Sequence, residues 1–138
     1  MIQAKISGLE KLALKLRPQV RDNVIKSSLT KGAFYLQNWI QRKRLTGPRP
    51  GFLGVVSGRL RASISVQPAQ KSGDNYVAKI GTNVVYAAIH EFGGRTGRGK
   101  GFMMKPRPFM QPAIDDLKNR KFILTMLTRN IQRALDKA

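Results

Sequence analysis

Cysteine is absent from this 138-residue chain, and histidine and tryptophan each occur once. Without thiols there is no disulfide and no thiolate metal site. One histidine and scattered acids cannot supply the three or four convergent ligands that a zinc site needs, so the expected metal and cofactor complement is none. Long apolar runs are missing too. No stretch approaches the ~20 residues that cross a bilayer, so no membrane partner is expected. The first residues, MIQAKISGLEKLAL, hold no apolar run of signal-peptide length, and nothing in them points to export. The scarcest commodity is negative charge. Seven acids face 26 Lys and Arg, a formal net charge of +19.

The acids are also unevenly placed. None occurs from Asn23 to Gly73, and none from Phe92 to Ile114. Basic residues crowd those same stretches: Arg42, Lys43, Arg44, Arg49, Arg59 and Arg61 in the first, then Arg95, Arg98, Lys100, Lys105 and Arg107 in the second. Such imbalance favours a polyanionic partner. Nucleic acid is the first candidate, and an acidic protein surface or anionic lipid the second. No zinc finger, basic zipper or helix-turn-helix spacing is present, so base-specific reading is not expected. Arg42, Lys43 and Arg44 also suit a helix C-terminus without any ligand.

Length sets a prior of one domain over 1–138. Residues 8 to 16 read as a short amphipathic helix with Leu9, Leu12 and Leu16 on one face. A long helix is predicted over about 18 to 43, where Ile25, Leu29, Ala33, Leu36 and Ile40 step by three and four. Gly47, Pro48 and Pro50 end it and open a loop over about 45–58. Alternation of Ala62, Ile64 and Val66 with Ser63, Ser65 and Gln67 predicts a strand. A turn at Gln70 to Asn75 returns the chain as a strand from Tyr76 to Gly81. Val84 to Phe92 reads as a short helix ended by Gly93. A glycine-rich basic loop follows, over about 93–106. The last helix starts near Pro108 to Pro112, with Asp115 and Asp116 early in it, where the dipole favours anions. The fold class is α+β: a long N-terminal helix and a C-terminal helix packed on a small antiparallel sheet, with extended basic loops.

Catalysis has little to stand on. His90 and Glu91 are adjacent, and neighbours on a helix point to different faces. The expectation is a non-enzyme in which His90 is structural. Gly97-Arg98-Gly99-Lys100-Gly101 lacks the Gly-Lys-Ser/Thr ending of a phosphate-binding loop. It reads either as a basic arm that orders on phosphates or as a solvated loop.

Three motifs stand in a fixed order: Ser57-Gly58-Arg59-Leu60-Arg61-Ala62-Ser63-Ile64, then Tyr86-Ala87-Ala88-Ile89-His90-Glu91-Phe92-Gly93, then Pro106-Arg107-Pro108-Phe109-Met110-Gln111-Pro112-Ala113. The order resembles that of the tail-completion, or neck, proteins of long-tailed bacteriophages, the virion-morphogenesis family with its lambda-type minor tail protein Z relatives. The resemblance covers roughly residues 6 to 135. It implies a structural virion protein that forms a ring, taken as hexameric, between head-closure (connector) proteins and the tail terminator or tail tube. Genomic double-stranded DNA would pass through that ring. The location implied is the virion neck, with the host cytoplasm during assembly. A sequence-nonspecific DNA-binding protein and the tail terminator itself are the alternatives. Tyr86, Ala87, Glu91, Phe92 and Gly93, with Pro108, Phe109, Met110, Pro112 and Ala113, would be packing or subunit-contact residues. Large anchors (Tyr86, Phe92, Phe109) stand beside small residues that permit close approach. The charge sets a condition on assembly. Six copies would carry about +114 and repel one another, so the isolated protein is expected to be monomeric or weakly associated at low salt.

Overall fold

The computed structural model describes residues 14–45, 58–96 and 101–137. Residues 8–13 of the first expected helix, most of the 45–58 loop, and Arg49, Arg98 and Lys100 lie outside that set. Residues 14–16, at the end of the expected helix, form a turn.

Helix α1 runs Pro18–Trp39 and passes directly into a π-helical turn, Ile40–Arg44. Pro18 sits at its start, where the missing N–H had no partner to lose. The Leu45 amide closes the π turn on the Ile40 carbonyl at 3.1 Å. Arg42, Lys43 and Arg44 lie in that last turn and favour its dipole.

Three faces of α1 are in use. Its apolar stripe of Ala33, Leu36 and Ile40 enters the main core. On one flank, the Thr30 hydroxyl accepts the Ala69 amide at 3.0 Å, and the Gln37 side-chain amide donates to the Ile64 carbonyl at 2.6 Å. On the other flank Gly32 lets the C-terminal helix approach: an added Cβ would lie 3.3 Å from Ile123. Tyr35 stacks on Phe122 there, with ring centroids 4.2 Å apart. The helix is therefore held from two sides, by the sheet and by the C-terminal helix.

The sheet is a hairpin of β1 (Ser65–Ser72) and β2 (Asn75–Gly81), antiparallel in register Ser65↔Gly81 to Ser72↔Asn75. The pairing slips between Gln67 and Gln70. Pro68 stands in the slip, where its missing N–H breaks no ladder bond. The freed Ala69 amide is the one that reaches Thr30. Gly73, with φ 61°, makes the tight turn that only a positive φ allows. Two strands alone are marginal in water, and α1 covers one face. The Tyr76 hydroxyl donates to Asp22 of α1, and Lys71 pairs with Asp22 at 3.5 Å. Tyr76 and then Lys71 hold the Asp22 carboxyl below its ordinary range. Burial, and then the same bond, push the Tyr76 hydroxyl up.

Three expectations are corrected here. The strand drawn from Ala62 begins only at Ser65, because Arg59–Ser63 is a short helix, α2. Leu60 and Ile64 are both buried, four residues apart, which is a helical spacing that the alternation of Ala62, Ile64 and Val66 disguised. Gly58, at φ 74°, starts this helix from a left-handed conformation. The C-terminal helix, expected to be continuous, is broken into α4 (Gln111–Asp115) and α5 (Leu117–Asp136). Asp116 stands at the break in extended conformation, and its carboxylate accepts the Lys118 and Asn119 amides at 2.8 and 3.3 Å. It is thus an N-cap, a stronger role than general dipole compensation. Between β2 and α4 lie α3 (Ala87–Phe92) and a second hairpin, β3 (Gly94–Thr96) with β4 (Phe102–Met104). The expected loop over 93–106 is thus partly strand.

Candidate functional site

The second and third motifs are joined by one carboxylate. Glu91 is 8% exposed, on the inner face of α3 beside Ala87. Its Oε2 accepts the backbone amides of Phe109 and Met110 at 2.8 and 3.0 Å, and its Oε1 accepts that of Gln111 at 2.9 Å. These are amides at the start of α4, whose own cap position is Met110, a side chain that cannot accept them. Glu91 caps that helix from 18 to 20 residues away, with a charge that the helix N-terminus favours. The Arg107 amide adds a bond of 2.7 Å to the His90 carbonyl.

Gly93 makes the clasp possible. Its φ of 73° ends α3. A Cβ there would stand 2.8 Å from the Met104 carbonyl oxygen and 2.9 Å from Pro106 Cδ. Chain direction and space both require glycine. Phe109, 1% exposed, then enters the main core with Met110 and Ala113, alongside Ile40, Leu60 and Val84. All three motifs therefore contribute to one core.

The other face of α3 is different. Val85 is 95% exposed and Phe92 77%, and Ala88 between them is exposed as well. Ala88 and Phe92, four residues apart, lie on one side of α3, and Val85 stands in the turn just before it. Met103, on β4, is 69% exposed. Of the three expected anchors, Phe109 packs within the chain, whereas Tyr86 is partly exposed and Phe92 mostly so. Tyr86 meets the His90 ring edge-on at 5.6 Å. Pro108 is exposed and Pro112 half-buried. His90 and Glu91 do not act together, since Glu91 turns inward to the α4 amides.

Of the basic residues expected to meet a polyanion, the described ones gather in two places. The Gln41 side chain donates to the Arg61 carbonyl at 2.9 Å. That bond sets α2, with exposed Arg59 and Arg61, beside the π turn carrying exposed Arg42 and Lys43 and half-buried Arg44. Arg95 pairs across the second hairpin with Met103, close to Lys105 and Arg107 in the chain. Arg95 and Lys105 are exposed, and Arg107 is half-buried. Among the described residues, no three His, Cys, Asp or Glu side chains converge as a metal site requires. No helix there is long and apolar enough to cross a membrane.

Residues 5–132 match the sequence profile of the phage virion morphogenesis family. The chain belongs to that family. Its kind is structural and non-enzymatic, serving virion assembly, so this is a virion-associated bacteriophage protein. A curated relative is the Mu-like prophage FluMu G protein 2 of Haemophilus influenzae (strain Rd), 51% identical over 37 residues. That alignment covers 27% of this chain and 27% of the relative. No solved structure matches significantly.

Glu91 is expected from the sequence as part of a packing or subunit-contact motif, but its partners are not. The available signal was a helix start, PRPFMQPA, with no Ser, Thr, Asp or Asn to cap it. Asn119 was also missed. It is buried, donates to the Ala113 carbonyl at 2.9 Å and accepts the Tyr35 hydroxyl at 3.1 Å, tying α4, α5 and α1 together.

Proposed function

We propose that this virion morphogenesis protein is a tail-completion protein of the phage neck. It forms a ring that joins the head connector to the tail terminator or tail tube and surrounds the DNA channel. The observation that carries the reading is where the few carboxylates go. Asp22, Glu91, Asp115, Asp116 and Asp136 each bond within the fold, to Tyr76 and Lys71, to backbone amides, to Gln111 and Arg120, or to Gln132. Seven acids, most of them held in contacts of the fold, leave the 26 Lys and Arg with a formal net charge of +19, so the surface as a whole suits a polyanion.

Exposed Arg42, Lys43 and Arg61 form a patch that would hold duplex DNA by its phosphates and carry no base identity. The exposed side of α3, with Val85 and Phe92, supplies an apolar seam for a neighbouring subunit. Self-repulsion makes assembly conditional on DNA, acidic neighbours or salt. Native mass spectrometry of the isolated protein at low ionic strength is expected to show monomer, with a ring stable there overturning that condition. Cryo-electron microscopy of the intact neck tests the placement. Density for this chain between head and tail is expected, and a position in the capsid shell or baseplate would overturn it. The same basic patch also fits a protein that coats DNA as a monomer or dimer. Salt-dependent duplex binding with no ring in any assembled particle would favour that second reading.

A further inference from the structure

The N-terminal half of α1 and the C-terminal end of α5 enclose an open groove of about 800 Å³. Its floor is apolar, made by Leu16, Val20, Val24 and Ala134. Polar groups in that floor already satisfy each other: the Asn130 side chain donates to the Ser28 hydroxyl at 2.9 Å. Around the floor stand Arg17, Lys31, Arg133 and Lys137, and among the described residues no carboxylate lines the groove. The nearby acids point elsewhere, Asp22 to Tyr76 and Lys71, and Asp136 to Gln132. A 22-residue helix is about 33 Å long, so this groove and the Arg42–Arg44 turn lie at opposite ends of α1.

We propose that the groove is a docking site for an acidic amphipathic helical segment of another protein. An apolar strip with carboxylates on both sides matches the floor and the rim at once. It would place its leucine-like side chains on Val20 and Val24 and its acids against the four cations. The other candidates match only half of the site. A phosphate backbone satisfies the rim and leaves the apolar floor in water. The chain's own residues 1–13 carry Lys5 and Lys11 against the single acid Glu10, so they repel the rim. A second copy of this protein brings more positive charge. The site is separate from the DNA patch and from the α3 seam, and it stands or falls independently of the neck placement.

The test is fluorescence anisotropy on the full chain with three labelled probes. One is a synthetic 14-residue peptide with leucines at helical i, i+3, i+4, i+7 spacing and glutamates elsewhere. The second is the same composition with the leucines scattered around the helix. The third is a 20-base-pair duplex. The patterned peptide is expected to bind at least about tenfold more tightly than the scattered one. The variant K31E/R133E should weaken the patterned peptide about tenfold and the duplex less than about twofold. The variant V20S should weaken the patterned peptide several-fold and leave the duplex unchanged. All three residues are exposed, so circular dichroism of the variants should match the parent. Equal binding of the two peptides, or equal losses for peptide and duplex in K31E/R133E, would overturn the proposal and reduce the groove to part of a general polyanion surface.

Discussion

The two sides of the stretch from Val85 to Phe92, helix α3 and the turn that leads into it, do opposite things. Inward, Ala87 and Glu91 are buried, and Glu91 is bonded to three amides of the third motif. Outward, Val85 and Phe92 hold apolar surface in water. A polar residue is buried and an aromatic one exposed, the reverse of the ordinary preference. Each inversion has its own cause. The buried carboxylate is matched to a helix start that has no cap of its own. The exposed apolar surface has no partner within the described chain, and in an assembly protein a neighbouring copy is the proposed one.

The inner side carries the largest expected effect. Glu91→Ala leaves three amides without their acceptor and is expected to destabilise the chain by about 3 kcal/mol in urea unfolding. Gly93→Ala attacks the same clasp through the backbone. A Cβ 2.8 Å from the Met104 carbonyl, at a φ of 73°, should cost about 2 kcal/mol in the same assay.

A smaller, pH-dependent effect sharpens the contrast between a buried clasp and a surface one. Asp22 ties α1 to the first hairpin, and its folded pKa lies below the ordinary 3.8. Its contribution is complete above that value and is lost as pH falls through the folded one. Asp22→Asn should therefore flatten the fall in urea midpoint below about pH 4, and an unchanged acid slope would contradict this. The outer side of α3 should give the smallest effect on stability. Val85→Ser with Phe92→Ser is expected to stay within about 0.5 kcal/mol of the parent while abolishing incorporation into particles, as judged by electron microscopy.

Much of this fold was legible from periodicity. The three-and-four step of Ala33, Leu36 and Ile40 located α1 and its buried apolar stripe, whereas Ile25 and Leu29 of the same stripe are half-buried and the small Ser28 and Gly32 are buried instead. The hairpin was located to within a few residues, because Gly73 and Asp74 mark a tight turn. Short elements were harder. In Arg59–Ser63, apolar residues at helical and at alternating spacing overlap, and five residues are too few to separate the two periods. The site was only half legible. Phe109 as a core anchor could be read from its small neighbours. Phe92 could not be placed, since exposure of an aromatic residue depends on which side of a short helix faces the core. The Glu91 bonds were hidden because an uncapped helix start does not say which distant residue, here 18 positions away, supplies the cap. The groove was hidden for the same reason, as its basic rim draws on both ends of the chain.

The central claim is that Glu91 holds the third motif in place from within the same chain. Amide hydrogen exchange at Phe109, Met110 and Gln111, compared between the parent and Glu91→Gln, tests it most directly. These three amides are expected to be protected in the parent and to lose protection together in the variant, ahead of those in the middle of α5. Protection that survives the substitution unchanged would contradict it.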